Sequence, residues 1–307
     1  MAKKRILSVG KAAVRLDSVL SRFPQKNEEI TSFSRLNLAL EGGGLAGALA
    51  SSFLGAESLL CSATGDDLYG ERLARILKEH GVDTRFLFSF KGDRTSLALH
   101  FREKEGGIRR IYYEGAAEHL SADEIEHAFL SLPDGVILSS DLSPDLIPAA
   151  ARLAAEKEIP LFYLEEGEIR PLGAPAEVYA ADFRSAMALT GDRTLSDGVC
   201  MKACIRITEL IEAKNCLLFL PGGGVFHYDG RYGNILPSLP AEPIDEEGGK
   251  EVFLAALAVE CTGGKPIAEA FPFAFAAKAL AEAQVGFMES FPDRDEAELL
   301  MKKRMPG

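Results

Sequence analysis

The chain has no apolar run approaching the roughly 18 residues that a membrane-spanning helix needs, so no transmembrane segment is expected. Its 307 residues include only five cysteines, Cys61, Cys200, Cys204, Cys216 and Cys261. The number is odd, no Cys-x-x-Cys occurs and no signal peptide precedes them, which points to reduced thiols in the cytoplasm. The five histidines, His80, His100, His119, His127 and His227, are dispersed. No His-x-x-x-His or His–Cys spacing appears, and the helical spacing of Cys200 and Cys204 lacks a nearby histidine pair, so spacing gives no metal site. Positive charge is scarce: 34 Lys and Arg stand against 46 Asp and Glu, a net charge of -12, which disfavours nucleic acid and anionic membranes as partners. Gly10-Lys11-Ala12-Ala13 follows the first strand where a Gly-x-Gly-x-x-Gly fingerprint would stand, which argues against a nicotinamide-dependent dehydrogenase. Low-complexity segments and fixed-period repeats are also missing.

What is present is a core. Hydrophobic residues make up 47% of the chain, enough for one large domain with a minor appendage. Arg5–Gly10 reads as a short apolar strand, and Leu45–Leu54, small and apolar after a glycine run, as a buried helix. Ser58–Ala63 is a strand and Leu68–His80 an amphipathic helix. From residue 135 onward strands alternate with helices: strands at Gly135–Ser139, Pro160–Leu164, Val178–Ala180, Cys216–Leu220 and Val225–Tyr228, helices at Asp145–Lys157, Phe183–Leu189, Val199–Ala213, Lys250–Glu260, Ala268–Gln284 and Asp293–Met301. That alternation argues for a mostly parallel sheet with helices on both faces. Val14–Phe33, and Thr95–Arg102 with Gly107–Glu114 around the turn Lys104-Glu105-Gly106-Gly107, are polar and alternating. They do not fit that sheet, and are read as a small β lid from insertions at about 14–40 and 95–115 of a single 1–307 domain.

The stretch that bears most on function is Asp245-Glu246-Glu247-Gly248-Gly249-Lys250-Glu251 followed by an apolar, alanine-rich run. Two glycines entering a helix offer free backbone N–H groups and the positive end of the helix dipole, a place for an anion. Glu251 stands at its mouth, so a carboxylate beside a phosphate nest would suit phosphoryl transfer. Asp245, Glu246 and Glu247 crowd the same loop and would repel a phosphate.

Several motifs in order resemble the ribokinase/PfkB-type carbohydrate kinases nearly end to end. They are Gly65-Asp66-Asp67-Leu68-Tyr69-Gly70-Glu71, Leu77-Lys78-Glu79-His80-Gly81-Val82-Asp83-Thr84, Thr95, Gly107-Ile108-Arg109-Arg110, Gly42-Gly43 with Ala48 and Leu54-Gly55-Ala56, and Ala268–Ala283 before Pro292. The resemblance implies a Rossmann-like three-layer α/β/α fold, a mostly parallel sheet, and a β-sheet lid over a sugar-like substrate. It implies ATP with Mg²⁺ as phosphoryl donor, a hydroxyl of the substrate as acceptor, and a homodimer joined through the lid. The family's Gly-Ala-Gly-Asp element supplies the catalytic base and the anion nest; here it falls on Gly248-Gly249-Lys250-Glu251.

Set on that pattern, the functional positions differ from the scaffold. Glu251 takes the base position with one extra methylene, a displacement of roughly an ångström that can cost about a hundredfold in rate. Lys250 replaces a glycine and points either at phosphate or into solvent. Glu246 and Glu247, where threonines are usual, either favour the helix N-terminus or hold Mg²⁺. Arg15 aligns with the family's substrate-binding Asp, with Asp17 two residues on along the same strand face. The first glycine signature gives Gly42, Gly43 and, at its Asn position, Ala46 as substrate contacts, with tight helix–strand packing as the alternative role of the glycines. The Mg²⁺-organising element falls on Asp182 and Ser185; Asp182 either binds a hydrated cation or caps a helix. The nucleotide loop maps to Phe219-Leu220-Pro221-Gly222-Gly223-Gly224, with Gly222 and Gly224 as contacts, and Phe275 either stacks on a base or packs in the core. The histidines read as ordinary surface or lid residues, with a substrate contact by His100 or His119 as the alternative. Two functions follow: an ATP-dependent kinase with degenerate motifs, or a catalytically inactive relative that binds a ligand or a protein.

Overall fold

The structure, a computed structural model, describes residues 3–31, 36–104, 106–192, 194–239, 243–287 and 290–304. The N-terminal part contains β1 (Arg5–Val9), β2 (Ala13–Leu20), β3 (Asn37–Glu41), α1 (Gly43–Phe53), β4 (Glu57–Gly65) and α2 (Leu68–Glu79). Next come β5 (Val82–Asp83), β6 (Leu87–Phe90), β7 (Leu97–Glu103), β8 (Ile108–Tyr113) and α3 (Ala122–Phe129). The alternating half runs β9 (Gly135–Ser139), α4 (Leu146–Glu156), β10 (Leu161–Glu165), β11 (Ala176–Asp182), α5 (Phe183–Thr190), α6 (Asp197–Leu210) and β12 (Ala213–Phe219). The chain closes with β13 (Val225–Tyr228), β14 (Gly233–Leu236), α7 (Gly249–Thr262), α8 (Ile267–Glu282) and α9 (Arg294–Arg304).

Ten strands form the main sheet in the order β14-β13-β12-β11-β10-β9-β1-β4-β5, with β6 also on β4. Pairing is parallel from β12 through β4 and antiparallel only at the β12–β13–β14 end. Side-chain alternation along these strands divides the core between two faces. Ile6, Ile137, Phe162 and Val178 pack with α1, α7 and α8. Leu7, Leu138, Tyr163 and Tyr179 pack on the other side with α3, α4 and α6. Helix α7 is buried along nearly its whole length, which explains why its sequence is apolar all round rather than amphipathic. Phe253 anchors it, edge-on to Phe219 at 5.5 Å and to Phe275 at 5.0 Å.

Helix α1 reaches the sheet because glycine faces glycine. A Cβ on Gly44 would lie 2.4 Å from the backbone of Gly10, and one on Gly47 would lie 2.6 Å from Ser8 Oγ. The small residues of this motif therefore serve close packing of helix on strand. Ala46 of the same helix is fully buried in the core cluster on this side of the sheet.

A second, four-stranded sheet has the order β3-β2-β7-β8, with β2 and β7 parallel and both outer pairs antiparallel. The strand expected over Val14–Phe33 ends at Leu20; of that stretch, residues 32–33 lie outside the described residues, as does Glu105 of the 104–107 turn. Asp67 ties this sheet to the main body. Its carboxylate caps α2 by accepting from Tyr69 N at 3.1 Å and Gly70 N at 2.9 Å. It also accepts from Thr95 N at 3.0 Å and Thr95 Oγ1 at 2.7 Å. A Cβ on Gly65 would sit 2.5 Å from the backbone at Asp93–Thr95. The Gly-Asp-Asp motif is thus a structural clasp, and Asp67 carries a lowered pKa because these hydrogen bonds outweigh its burial.

Candidate active site

The carboxyl ends of the parallel strands and the N-terminus of α7 face the small sheet across a cleft of about 380 Å³. This is where an open α/β sheet offers loops and helix ends to a ligand. From the small sheet come Glu41, Ala98, Tyr112 and Tyr113; from the strand ends, Asp141 after β9 and Glu166 after β10; from the α7 entrance, Gly248, Lys250 and Glu251. Gly42 and Gly43 also line it. Asp141 fixes that corner, accepting from Lys11 N at 3.0 Å and Gly43 N at 2.7 Å. Gly42 has φ 122°, and a Cβ there would lie 2.3 Å from Lys11 O, so glycine is required.

The charge of the cleft is one-sided. Glu41, Glu114, Asp141, Glu166, Glu246, Glu247 and Glu251 line it against Lys11 and Lys250. Both lysines are already engaged: Lys11 donates to Glu114, and Lys250 Nζ lies 2.6 Å from Asp182 Oδ2. Asp182 also caps α5, accepting from Arg184 N at 3.0 Å. Burial raises its pKa, but the hydrogen bond from Lys250 and the α5 cap outweigh this and leave it lowered. Ser185 is half-buried on the first turns of α5.

Gly248 enters α7 with φ 80°, a left-handed conformation for which glycine is suited. Gly249 is buried, with the carboxylate of Glu282 packed against it. Glu251 is pushed up to about 8, first by desolvation and then by Glu166; its own backbone N–H and Lys250 pull the other way. Glu166 is itself raised by burial. A carboxyl titrating near 8 is mostly protonated at neutral pH, so Glu251 is poised as an acid more than as a base.

Beneath the lid, Arg15 is almost fully buried and surrounded by acids. Its Nε lies 2.8 Å from Asp17 Oδ2, its Nη1 donates to Glu247, and Glu41 Oε2 is 3.7 Å away. His100 of β7 completes the group, with Nε2 3.3 Å from Glu41 Oε2 and Nδ1 3.6 Å from Asp17 Oδ1. Burial pushes the His100 pKa down to about 4, so the ring is neutral; burial pushes Glu41 up to about 7 despite Arg15. Arg15 therefore sits behind the cleft wall and links the lid to the helix entrance through Glu247.

The glycine loop Gly222–Gly224 opens on a separate cavity of only about 70 Å³. Gly222 and Phe275 line it, together with an ion pair between Lys278 Nζ and Glu282 Oε2 at 2.6 Å. Gly224 packs against Leu236 and Pro237 instead. Phe275 is 3% exposed and belongs to the Phe253 cluster of the core.

The structure thus brings together Gly42, Gly43, Gly248, Lys250 and Glu251, with Arg15 and Asp17 behind them. Sequence reasoning missed Glu41, Asp141 and Glu166, which lie far apart in the chain. The signal available for the last two was their place just past the C-terminal ends of apolar strands in an alternating α/β pattern.

Comparison with known proteins agrees with the geometry. Residues 3–294 match the pattern of the pfkB family carbohydrate kinases. The ribokinase of Bacillus subtilis (strain 168) is 26% identical over 97% of this chain and 99% of its own length. Fructokinase-1 of Zea mays is 24% identical over 83% of this chain and 86% of its own. Among solved structures, the ribokinase of Arabidopsis thaliana in complex with ribose and ATP superposes with a TM-score of 0.88 over 98% of this chain and 99% of that one, at 22% identity. With a family match over almost the whole length, and a cleft between a parallel sheet and a small lid to go with it, the chain belongs to the pfkB family of carbohydrate kinases.

Proposed function

We propose that the cleft under the lid binds a sugar-like small molecule and that phosphoryl transfer from ATP to it is impaired or lost. The observation that carries this reading is the charge around the phosphate position. Glu246 and Glu247 flank the Gly248–Gly249 helix entrance, while Lys250 beside it is engaged by Asp182. A polyphosphate brought there meets carboxylates at short range in a partly desolvated site, where repulsion is strong. The cavity at the glycine loop, about 70 Å³, is well below the roughly 300–1,000 Å³ of small-molecule pockets, whereas the cleft lies within that range. A sugar is the ligand class inferred from kinship with ribokinases and fructokinases.

A second reading, an active kinase using ATP and Mg²⁺ with Glu251 as base, is favoured by one feature: Gly248 keeps a left-handed turn that aims the α7 N-terminus at the cleft beside a carboxyl group. Here Asp182 or Glu246 and Glu247 would hold the metal. Calorimetry with Mg²⁺–ATP separates the two. The first reading expects no heat, or weak heat without sugar-dependent turnover. Tight nucleotide binding, with sugar-dependent turnover abolished by Glu251→Gln, would overturn it in favour of the second.

We also infer a homodimer through the lid. The outer strand β8 presents Ile111, Tyr112 and Tyr113, each about half exposed, along an open sheet edge of the kind that seeks cover. Light scattering that finds a monomer at micromolar concentration would contradict this. All five cysteines are free, four of them buried, and no helix among the described residues is long and apolar enough to cross a membrane. A reducing compartment, which we infer to be the cytoplasm, suits such thiols.

A further inference from the structure

We propose that Glu41, His100 and Glu247 form a binding site for one divalent transition-metal ion of the zinc class, set in the lid wall of the cleft. One potential ligand atom from each of the three lies within 4.8 Å of the other two. The Nε2–Oε2 separation of His100 and Glu41 is 3.3 Å. Bonds of roughly 2.0–2.1 Å in a tetrahedron put neighbouring ligand atoms about 3.4 Å apart, so this pair already spans one edge of such a site.

The second observation is independent of the acid count. His100 is 2% exposed, yet neither ring nitrogen makes a hydrogen bond, and the same holds for Glu41 Oε2 and Asp17 Oδ1. These orphaned atoms form two pairs on opposite sides of the buried ring, Glu41 Oε2 with His100 Nε2 and Asp17 Oδ1 with His100 Nδ1, and the Glu41 side calls for a missing partner. Asp17 Oδ1 lies 3.6 Å from His100 Nδ1, on the side of the ring away from Glu41. On a small approach a carboxylate there accepts from Nδ1–H and leaves the Nε2 lone pair for a metal. Arg15 engages Asp17 Oδ2 and Glu247 Oε1, which leaves Asp17 Oδ1 for the imidazole and the second oxygen of Glu247 for an ion. Charge agrees once the ion displaces the proton of Glu41: Asp17, Glu41 and Glu247 then carry three negative charges around the single guanidinium of Arg15, leaving two, the charge of a divalent cation.

One imidazole with two carboxylates is a mixed nitrogen and oxygen set. It suits zinc or its neighbours better than Mg²⁺ or Ca²⁺, which prefer oxygen shells of six or more ligands. Three protein donors leave a fourth position, and since Glu41 and Glu247 both line the cleft, that position is reachable by a ligand hydroxyl. The site is independent of whether ATP is used.

Protein stripped of metal by a chelator is titrated with zinc chloride by calorimetry. The expected result is one ion per chain. Glu41→Gln and His100→Ala each weaken binding by at least about tenfold, Asp17→Asn weakens it about tenfold to a hundredfold with stoichiometry intact, and His119→Ala, at an exposed distant histidine, leaves it unchanged. Absence of binding, or binding unaltered in both ligand variants, overturns the proposal. If the variants do not fold, Co²⁺ titrated into the unaltered chain decides. An intense visible band of tetrahedral cobalt without a sulfur charge-transfer band supports the site. A sulfur band, which would place the ion on cysteine, or the weak spectrum of octahedral aqueous cobalt, overturns it.

Discussion

Lys250 and Asp182, 68 residues apart, meet across the floor of the cleft with Nζ 2.6 Å from Oδ2. The lysine that stands in the anion nest is thereby turned from the helix entrance toward the start of α5. Side-chain exposures of 28% and 31% make this a partly buried pair. Lys250→Met and Asp182→Asn should each lower stability by about 1–3 kcal/mol, since each leaves a charge without its partner. The double variant should lose less than the sum, with a coupling of about 0.5–3 kcal/mol in urea denaturation. Strict additivity would show that the contact does not act as a pair.

The raised carboxyls make stability depend on pH in an unusual sense. Glu251 titrates at about 8 in the folded chain against 4.5 ordinarily, so between those values the folded state holds a proton that the unfolded state has released. Its contribution is therefore fully present below 4.5 and lost as pH rises through about 8. Glu251→Gln should gain stability relative to the unaltered chain across that window and level off above it. A difference in urea midpoint that is flat with pH would remove Glu251 from the groups perturbed by folding.

His100 works in the opposite direction. Its pKa falls from 6.5 to about 4, so the folded state keeps the ring neutral while the unfolded state takes up a proton below 6.5. Stability should fall as pH drops from 6.5 toward 4, and His100→Gln should flatten that limb. An unchanged acid limb in a folded His100→Gln variant would contradict the assignment.

Two glycines give a paired test of packing. Gly44→Ala places a Cβ 2.4 Å from rigid backbone at Gly10 and should destabilise by about 1–3 kcal/mol. Gly198, near the start of α6, has open space around its Cβ position and an ordinary φ. Gly198→Ala should stabilise by about 0.5–1 kcal/mol through helix propensity and a less flexible unfolded chain. Thermal melts read both, and equal effects would refute the contrast.

The clasp at Asp67 predicts a local loss. Asp67→Ala removes the α2 cap and both bonds to Thr95, and should cost about 1–3 kcal/mol. Because its pKa is lowered in the fold, the contribution is present above the ordinary 3.8 and fades as pH falls below it. The gap in urea midpoint between the unaltered chain and Asp67→Ala should therefore narrow in acid; a constant gap would contradict the role.

Much of the architecture could be read along the chain. Strands β9 and β13 carry the bounds expected of them, because each is a short apolar run closed by turn residues. Helix α3 begins at a capping box of Ser121 and Glu124, but its eight residues give too little periodicity to stand out along the chain. Strands β5, β6 and β14 span 2, 4 and 4 residues and gain their structure from neighbours rather than from their own pattern. Phe275 carries two sequence readings, base stacking or core; it packs against Phe253 and also lines the small cavity.

By itself the sequence determined the family, the alternating α/β order and the helix entrance at Gly248–Gly249, because these rest on local pattern, turn chemistry and motif order. Only the tertiary structure decided that Arg15, Asp17, Glu41, His100 and Glu247 share one partly buried cluster, and that Lys250 pairs with Asp182. Side chains as far as 232 residues apart meet there because sheet pairing and helix packing carry them together. Their protonation follows from the water that this packing removes, a property of the assembled site that no spacing along the chain expresses.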